Sequence, residues 1–219
     1  IAKHMSSALK GVRTDSAPRS YVENLFDSYA NYFEDSLVGQ LEYDTPGLLS
    51  RIMIDNCSSK SLGSMLDLGC GTGLLGGFII QHVDYLEGID LSQKMLAEAE
   101  KKDIYDKLVH TDILDYLRSS KLDFDYFVAL DVFIYLGALD ELFDLIKSRN
   151  KRNGKLVFST EHREGSDFFL ERSGRYSHSK DYIEKLCNNH GYKVSFFTTS
   201  NLRKSKGLFI AGGLYIIDF

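Results

Sequence analysis

The stretch LDLGCGTGLLGG, Leu66 to Gly77, decides the reading of this chain. It sets glycine at positions 69, 71 and 73 directly behind an apolar run. Glycine permits positive φ and leaves bare backbone for a ligand to touch. The following "GLLGGFIIQH" reads as a helix, and its first amides point at whatever the turn holds. A lone G-x-G is equally a structural turn. Here a strand precedes it, a helix follows, and Asp90 ends the next strand, "DYLEGID". A carboxylate there is placed to accept both hydroxyls of a ribose. The plainer alternative is a turn Asp that caps toward Ser92.

Strands and helices alternate outward from this turn. "SMLDLG", "DYLEGID", "KLVHTD", "FDYFVALD" and "GKLVFSTE" read as strands. "SQKMLAEAEKK", with Ser92 as N-cap, and "LDELFDLIKSRN" read as helices between them. That alternation implies a parallel sheet covered by helices on both faces. After a helix stopped by Gly191, "KVSFFTTS" and "LFIAGGLYIIDF" form two more strands. Their link, "NLRKSKG", is too short for a crossover, so this pair is antiparallel. Ahead of the sheet, Tyr21, Leu25, Tyr29 and Phe33 recur at helical spacing behind Pro18. Thr45 and Pro46 open a second helix as N-cap and first residue. These helices form an N-terminal cap.

Composition narrows the function classes. The chain has 219 residues, 43% hydrophobic and 26% charged, which suits one substantial core. A net charge of -5 disfavours nucleic acid as a partner. No apolar run approaches the roughly 20 residues of a membrane helix. Cys57, Cys70 and Cys187 are scattered, which predicts a reducing, cytoplasmic setting without disulfides. No clustered His/Cys spacing supports a metal. "IAKHMSSALKG" lacks a secretory apolar core, and its "HM" reads as a cloning remnant. Residues 1–17 are therefore expected to be a tag remnant and flexible N-terminus. Residues 18–219 form a single domain, with 18–60 as the helical cap.

Two ligands fit the glycine turn. A nicotinamide dinucleotide brings a pyrophosphate, with the fingerprint G-x-G-x-x-G. This turn is G-x-G-x-G, with Asp67 two residues ahead of it. A carboxylate there repels phosphate. It suits the ammonium and sulfonium of S-adenosylmethionine (SAM).

At these residues the sequence resembles a family. "LDLGCGTG", "GIDLSQKML", "HTDILDY" and "VALDVFIYLG" are similar, in order, to the motifs of class I SAM-dependent methyltransferases. The resemblance implies an α/β, Rossmann-like, seven-stranded and mostly parallel sheet. Its order is 3-2-1-4-5-7-6, with the last strand antiparallel. It implies SAM as cofactor and S-adenosyl-L-homocysteine (SAH) as product. Carried over by position, Asp67 lies near the methionine ammonium, and Gly69, Cys70, Gly71 and Gly73 line methionine and ribose. Asp90 binds the ribose, and Leu91 and Met95 pack on adenine. Asp112 and Ile113 meet the adenine edge, and Asp131 sits beside methionine or acceptor. Met95 also reads as helix core, and Asp112 as the N-cap of "ILDYL". "LFDSYANYF" and "GRYSHSKDYIEKLCNNHGY" further resemble methyltransferases associated with TPR repeats. This chain lacks those repeats, so no docking role transfers.

Methyl transfer from a sulfonium needs alignment, desolvation and at most a base. Asp131, Tyr135, Glu161 and His162 follow the fourth and fifth strands, where ligands of parallel sheets lie. His178 is a candidate base, with Asp131 and Glu161 beside it; capping the helix from Ser179 is the alternative for His178. Tyr135, His162, Arg175 and Tyr176 are candidate acceptor contacts. Tyr29 is the cap residue expected at the cofactor. "LDVFIY" stands where amino-DNA and glutamine methyltransferases carry an Asn-Pro-Pro-Tyr-like motif, which turns the reading toward a small molecule. The alternatives are a protein acceptor, an NAD(P)-dependent oxidoreductase, or a SAM-binding regulator without catalysis.

Overall fold

The structure, a computed structural model, describes residues 2–150, 152–205 and 207–219. Three helices precede the first strand: α1 Ala2–Lys10, α2 Arg19–Tyr29 and α3 Thr45–Asp55. Five strands follow: β1 Ser64–Leu68, β2 Tyr85–Asp90, β3 Lys107–His110, β4 Tyr126–Ala129 and β5 Lys155–Arg163. They lie parallel in the order β3-β2-β1-β4-β5. Helices α4 Leu74–Ile79, α5 Gln93–Glu100, α6 Ile113–Ser119 and α7 Asp140–Arg149 join them. Ser92 caps α5 as expected, its Oγ accepting from Met95 N at 3.2 Å.

The period of two along the central strands builds two cores. Leu66, Leu68, Phe127, Ala129, Leu156 and Phe158 enter the cluster with Phe143, Ile146 and Ile183. Their sequence neighbours Met65, Tyr126, Val128 and Val157 enter the cluster with Leu49, Met53, Leu75 and Ile79. Both faces are covered, which is why these strands read as near-continuous apolar runs.

The tail completes the expected seven strands. Helix α8, Lys180–His190, ends at Gly191 in the left-handed region, φ 69°. Strand β9, Leu208–Asp218, is antiparallel to β5 and to β8, Lys193–Ser205. The path β3-β2-β1-β4-β5-β9-β8 is the predicted 3-2-1-4-5-7-6 order. Two further strands, β6 Phe168–Leu170 and β7 Tyr176–Ser179, make nine. β7 pairs parallel with the far end of β5, at Glu161–Arg163. At three and four residues they are too short to show a period in sequence.

Three expectations are corrected. The leader is not structureless: α1 docks through His4, whose Nε2 lies 2.9 Å from Gly174 O and whose ring packs on Tyr21. Asp44, not Thr45, holds the N-cap position of α3, and Pro46 lies in its first turn. β8 runs on through Asn201–Ser205, most of what read as a link. A bulge lies within it: Asn201 pairs with Ala211 and Lys204 with Phe209, three steps against two. Consecutive Leu202 and Arg203 are consequently both buried. Ile1 of the leader and Lys206 of the link lie outside the described residues.

Candidate functional site

A cavity of about 510 Å³ opens across the carboxyl ends of β1 to β4. It sits where strand order reverses between β1 and β4, the crevice an open α/β sheet offers a ligand. The cap forms its far wall with Val22, Leu25, Phe26, Tyr29 and Phe33. Polar contacts tie cap to sheet loops. Asp27 accepts from Ser92 Oγ at 2.5 Å, Glu34 accepts from Thr72 Oγ1 at 2.6 Å, and Arg19 pairs with Asp112 at 2.9 Å.

The glycine turn is pinned to the end of β2. Gly69 N and Cys70 N both donate to Ile89 O, at 2.8 and 3.0 Å. Gly71 N donates to Asp90 Oδ2 at 2.9 Å, and Ser92 N to Asp90 Oδ1 at 2.8 Å. Gly69 has φ 76°, and a Cβ there would stand 2.6 Å from Val132 Cγ2. A side chain there would be strained and would have to displace Val132. Burial raises the Asp90 pKa against the pull of these N–H donors. Asp90 thus organises the turn, the plainer of the two sequence alternatives, and also lines the cavity.

Asp67 closes the floor, 3% exposed. Tyr105 donates to its Oδ2 at 2.8 Å. Burial pushes the carboxyl up to about 7; the Tyr105 bond lowers it and nearby Asp90 raises it. No cation among the described residues offsets the burial. Leu91, Thr111, Asp112, Ile113 and Leu114 make an adjoining wall. Asp112 lines the cavity and also caps α6, accepting from Leu114 N at 2.9 Å.

The opposite end is polar. Asp131 sits just past β4 in the left-handed region, φ 58°, its N donating to Ser159 Oγ at 2.8 Å. Such strain in a non-glycine residue persists only where surroundings enforce it. Arg203, 2% exposed, donates to Asp131 Oδ1 at 3.2 Å and to Glu161 Oε1 at 2.7 Å. Burial alone would lower the Arg203 pKa; the two carboxylates outweigh it and raise it. Burial also raises Glu161, against the nearby arginines. Arg175, Tyr135 and Tyr43 complete this end.

The cavity thus gathers Asp67, Gly69, Cys70, Gly71, Asp90, Leu91, Asp112, Ile113, Asp131, Tyr29, Tyr135 and Arg175. Glu161 does not line it and sits behind Arg203. Gly73 lies behind the turn as the N-cap of α4, and Met95 is buried inside α5. His178 is not at the site. It is fully buried, its Nε2 lies 3.0 Å from Gly137 O, and burial lowers its pKa to about 4. Nor does it cap α8, which Ser179 Oγ does. His162 follows Glu161 on β5, and its ring lies toward Phe197 and Glu164 instead. Tyr176 is buried with its hydroxyl 2.5 Å from Thr14 Oγ1. A catalytic His178 and acceptor contacts from His162 and Tyr176 therefore find no support in this geometry. Sequence reading missed Arg203, Tyr43 and Tyr105. Arg203 lay in an apparent link, and nothing local marks the tyrosines.

Comparison with known proteins agrees with this fold. Residues 66–156 match the family model described as Methyltransferase domain. An uncharacterised protein of Haemophilus influenzae is 30% identical over 149 residues, 64% of this chain. The chain spans just over half, 56%, of that relative's length. The magnesium protoporphyrin IX methyltransferase of Synechocystis, solved with bound SAH, superposes with a TM-score of 0.69 at 16% identity. That likeness covers 91% of this chain and 98% of the other. A SAM-dependent methyltransferase of Clostridium acetobutylicum gives 0.64 at 20% identity, over 90% and 99%. The architecture is the Rossmann-like methyltransferase fold.

Proposed function

We propose that this chain is a SAM-dependent methyltransferase that transfers a methyl group to oxygen, nitrogen or carbon of a small-molecule acceptor. The observation that carries the reading is Asp67. A buried carboxyl facing a cavity, driven to about 7 for want of a cation, is a receptor for positive charge. A pyrophosphate would be repelled there.

Asp67, the Gly69–Gly71 turn, Asp90, Leu91, Asp112 and Ile113 would hold the cofactor, whose sulfonium supplies a methyl group activated for SN2 displacement. The chain's own work is alignment and dryness. Gly69 and Gly71 keep the turn close to the end of β2, and Asp90 stays oriented by two backbone N–H groups. Phe26, Tyr29 and Phe33 of the cap exclude water. Asp131 is the group placed to take a proton from the acceptor, its Oδ1 held by Arg203. Glu161 positions Arg203 rather than meeting ligand. Within this class, the TPR-associated group remains the finer placement, resting on sequence resemblance alone.

Thermal-shift titration with SAM, SAH and NAD tests the reading, because selective binding raises the melting point. SAM and SAH are expected to stabilise the protein and NAD is not. Stabilisation by NAD alone would overturn the proposal.

A further inference from the structure

Two arginines stand at the polar end of the cavity, and they are not equivalent. Arg203 is engaged on both sides, by Asp131 at 3.2 Å and Glu161 at 2.7 Å, and is sealed from solvent. Arg175 lines the same cavity with its side chain 30% exposed. Its closest carboxylate oxygen is Glu161 Oε1 at 4.0 Å, the oxygen that Arg203 already holds. Beyond the Tyr135 hydroxyl beside it, its guanidinium has no closer side-chain partner among the described residues, whereas its backbone is fixed. Its N donates to Ser173 Oγ at 3.3 Å, its O accepts from Glu171 N at 2.8 Å, and adjoining Tyr176 is buried. The guanidinium is thus presented to the cavity from an anchored turn.

Two hydroxyls share this end. Tyr135 and Tyr43 both line the cavity, 8% and 6% exposed, and the Tyr135 hydroxyl lies beside the Arg175 guanidinium, an N–H donor that leaves the Tyr135 O–H free to donate. Burial raises both above the usual phenol range, so both stay protonated donors. Tyr135 feels Arg175, Asp131 and Arg203; Tyr43 feels Asp131 and Arg203. A planar guanidinium takes a carboxylate or phosphoryl group through two parallel N–H bonds. The neighbouring wall, Val22, Leu25, Phe26 and Leu136, is apolar.

The geometry points to an acceptor that carries an oxyanion, a carboxylate or phosphoryl group, gripped by Arg175 with Tyr135 and Tyr43, on an apolar body lying against the cap. This names the acceptor class for the methyltransferase reading above and rests on it.

The test uses four ring compounds of similar size: phenylacetate, phenyl phosphate, phenylacetamide and phenethylamine. Each is titrated calorimetrically into the wild-type protein, ligand-free and SAH-saturated. One or both anions are expected to bind, and whichever binds tighter separates carboxylate from phosphoryl recognition. The amide and amine are expected to bind at least about tenfold more weakly. Arg175→Ala should remove that preference, and Arg175→Lys should restore part of it. SAH affinity should not change in either variant, which also controls for folding. Equal binding of acid and amide, preference for the amine, no anion binding, or an unaltered preference in Arg175→Ala would each overturn the inference. Failure of SAH to bind would sink the methyltransferase reading instead, and the ligand-free titrations would still judge Arg175.

Discussion

Tyr105 donates a 2.8 Å hydrogen bond to Asp67, the one side-chain partner that this buried carboxylate has among the described residues. A single neutral donor does not offset burial, and the carboxyl is held near 7 instead of 3.8. Because the folded pKa is raised, the protonated form stabilises the fold. That contribution is complete below about 3.8 and is lost as pH rises to about 7. A cationic ligand favours the ionised form. SAM affinity is therefore expected to rise with pH, by up to about tenfold per unit, and to level above 7. Calorimetry across this range checks it. Asp67→Asn should bind more weakly with a flat profile; a rising profile in that variant would remove Asp67 from the role.

Asp90 holds two backbone N–H groups at 2.9 and 2.8 Å, and its carboxylate faces the cavity. Asp90→Ala strands both donors, a cost of about 1–3 kcal/mol to the fold. It should also abolish the thermal shift on adding SAH. An intact shift would show that the ribose is held elsewhere.

The Arg203 clasp predicts coupled energetics. Arg203→Met leaves the buried Glu161 and the partly buried Asp131 without their hydrogen-bonded cation, which costs up to about 3–5 kcal/mol. Adding Asp131→Asn and Glu161→Gln removes the stranded charges and should recover most of the loss. Urea unfolding of the single and triple variants measures this. Additive losses would show that the clasp carries no electrostatic coupling.

His178 is a structural residue. Its folded pKa of about 4 lies below the ordinary 6.5, so its contribution is full above 6.5 and lost as pH falls toward 4. His178→Ala should destabilise the protein by about 2–4 kcal/mol through the lost volume and the freed Gly137 carbonyl. SAH affinity should stay unchanged, and the acid loss of stability in that window should shrink. A selective loss of turnover with normal stability would return His178 to the catalytic machinery.

The sheet was legible because parallel strands buried on both faces write themselves as apolar runs, and the switch point follows from their order. The glycine-turn side of the cavity was legible for a related reason. Asp67, Gly69, Gly71 and Asp90 are set by the covalent geometry of a strand–turn–helix, so their spacing along the chain encodes their spacing in space. The polar end around Asp131 has no such encoding. Arg203 comes from β8, Arg175 from the β6–β7 turn and Tyr43 from the cap, and only tertiary pairing brings them to Asp131. His178 shows the converse: a residue type suited to catalysis, placed on a short strand buried along its whole length.

Seen as a matter of chain length, the bulge at Leu202–Arg203 makes the tail unequal in its tolerance of insertions and deletions. Removing one residue between Asn201 and Lys204 would restore an even pleat, and a one-residue slip turns side chains to the opposite face. Arg203 would leave Asp131 and Glu161, and Leu202 would lose its seat over Gly212, where it leaves no room for a Cβ. A gap beyond Ser205, in the connection to Leu208, changes no pairing of the clasp. When this chain is aligned with relatives, length variation belongs at that tip, and a gap drawn a few residues earlier would mark a chain without the Arg203 clasp.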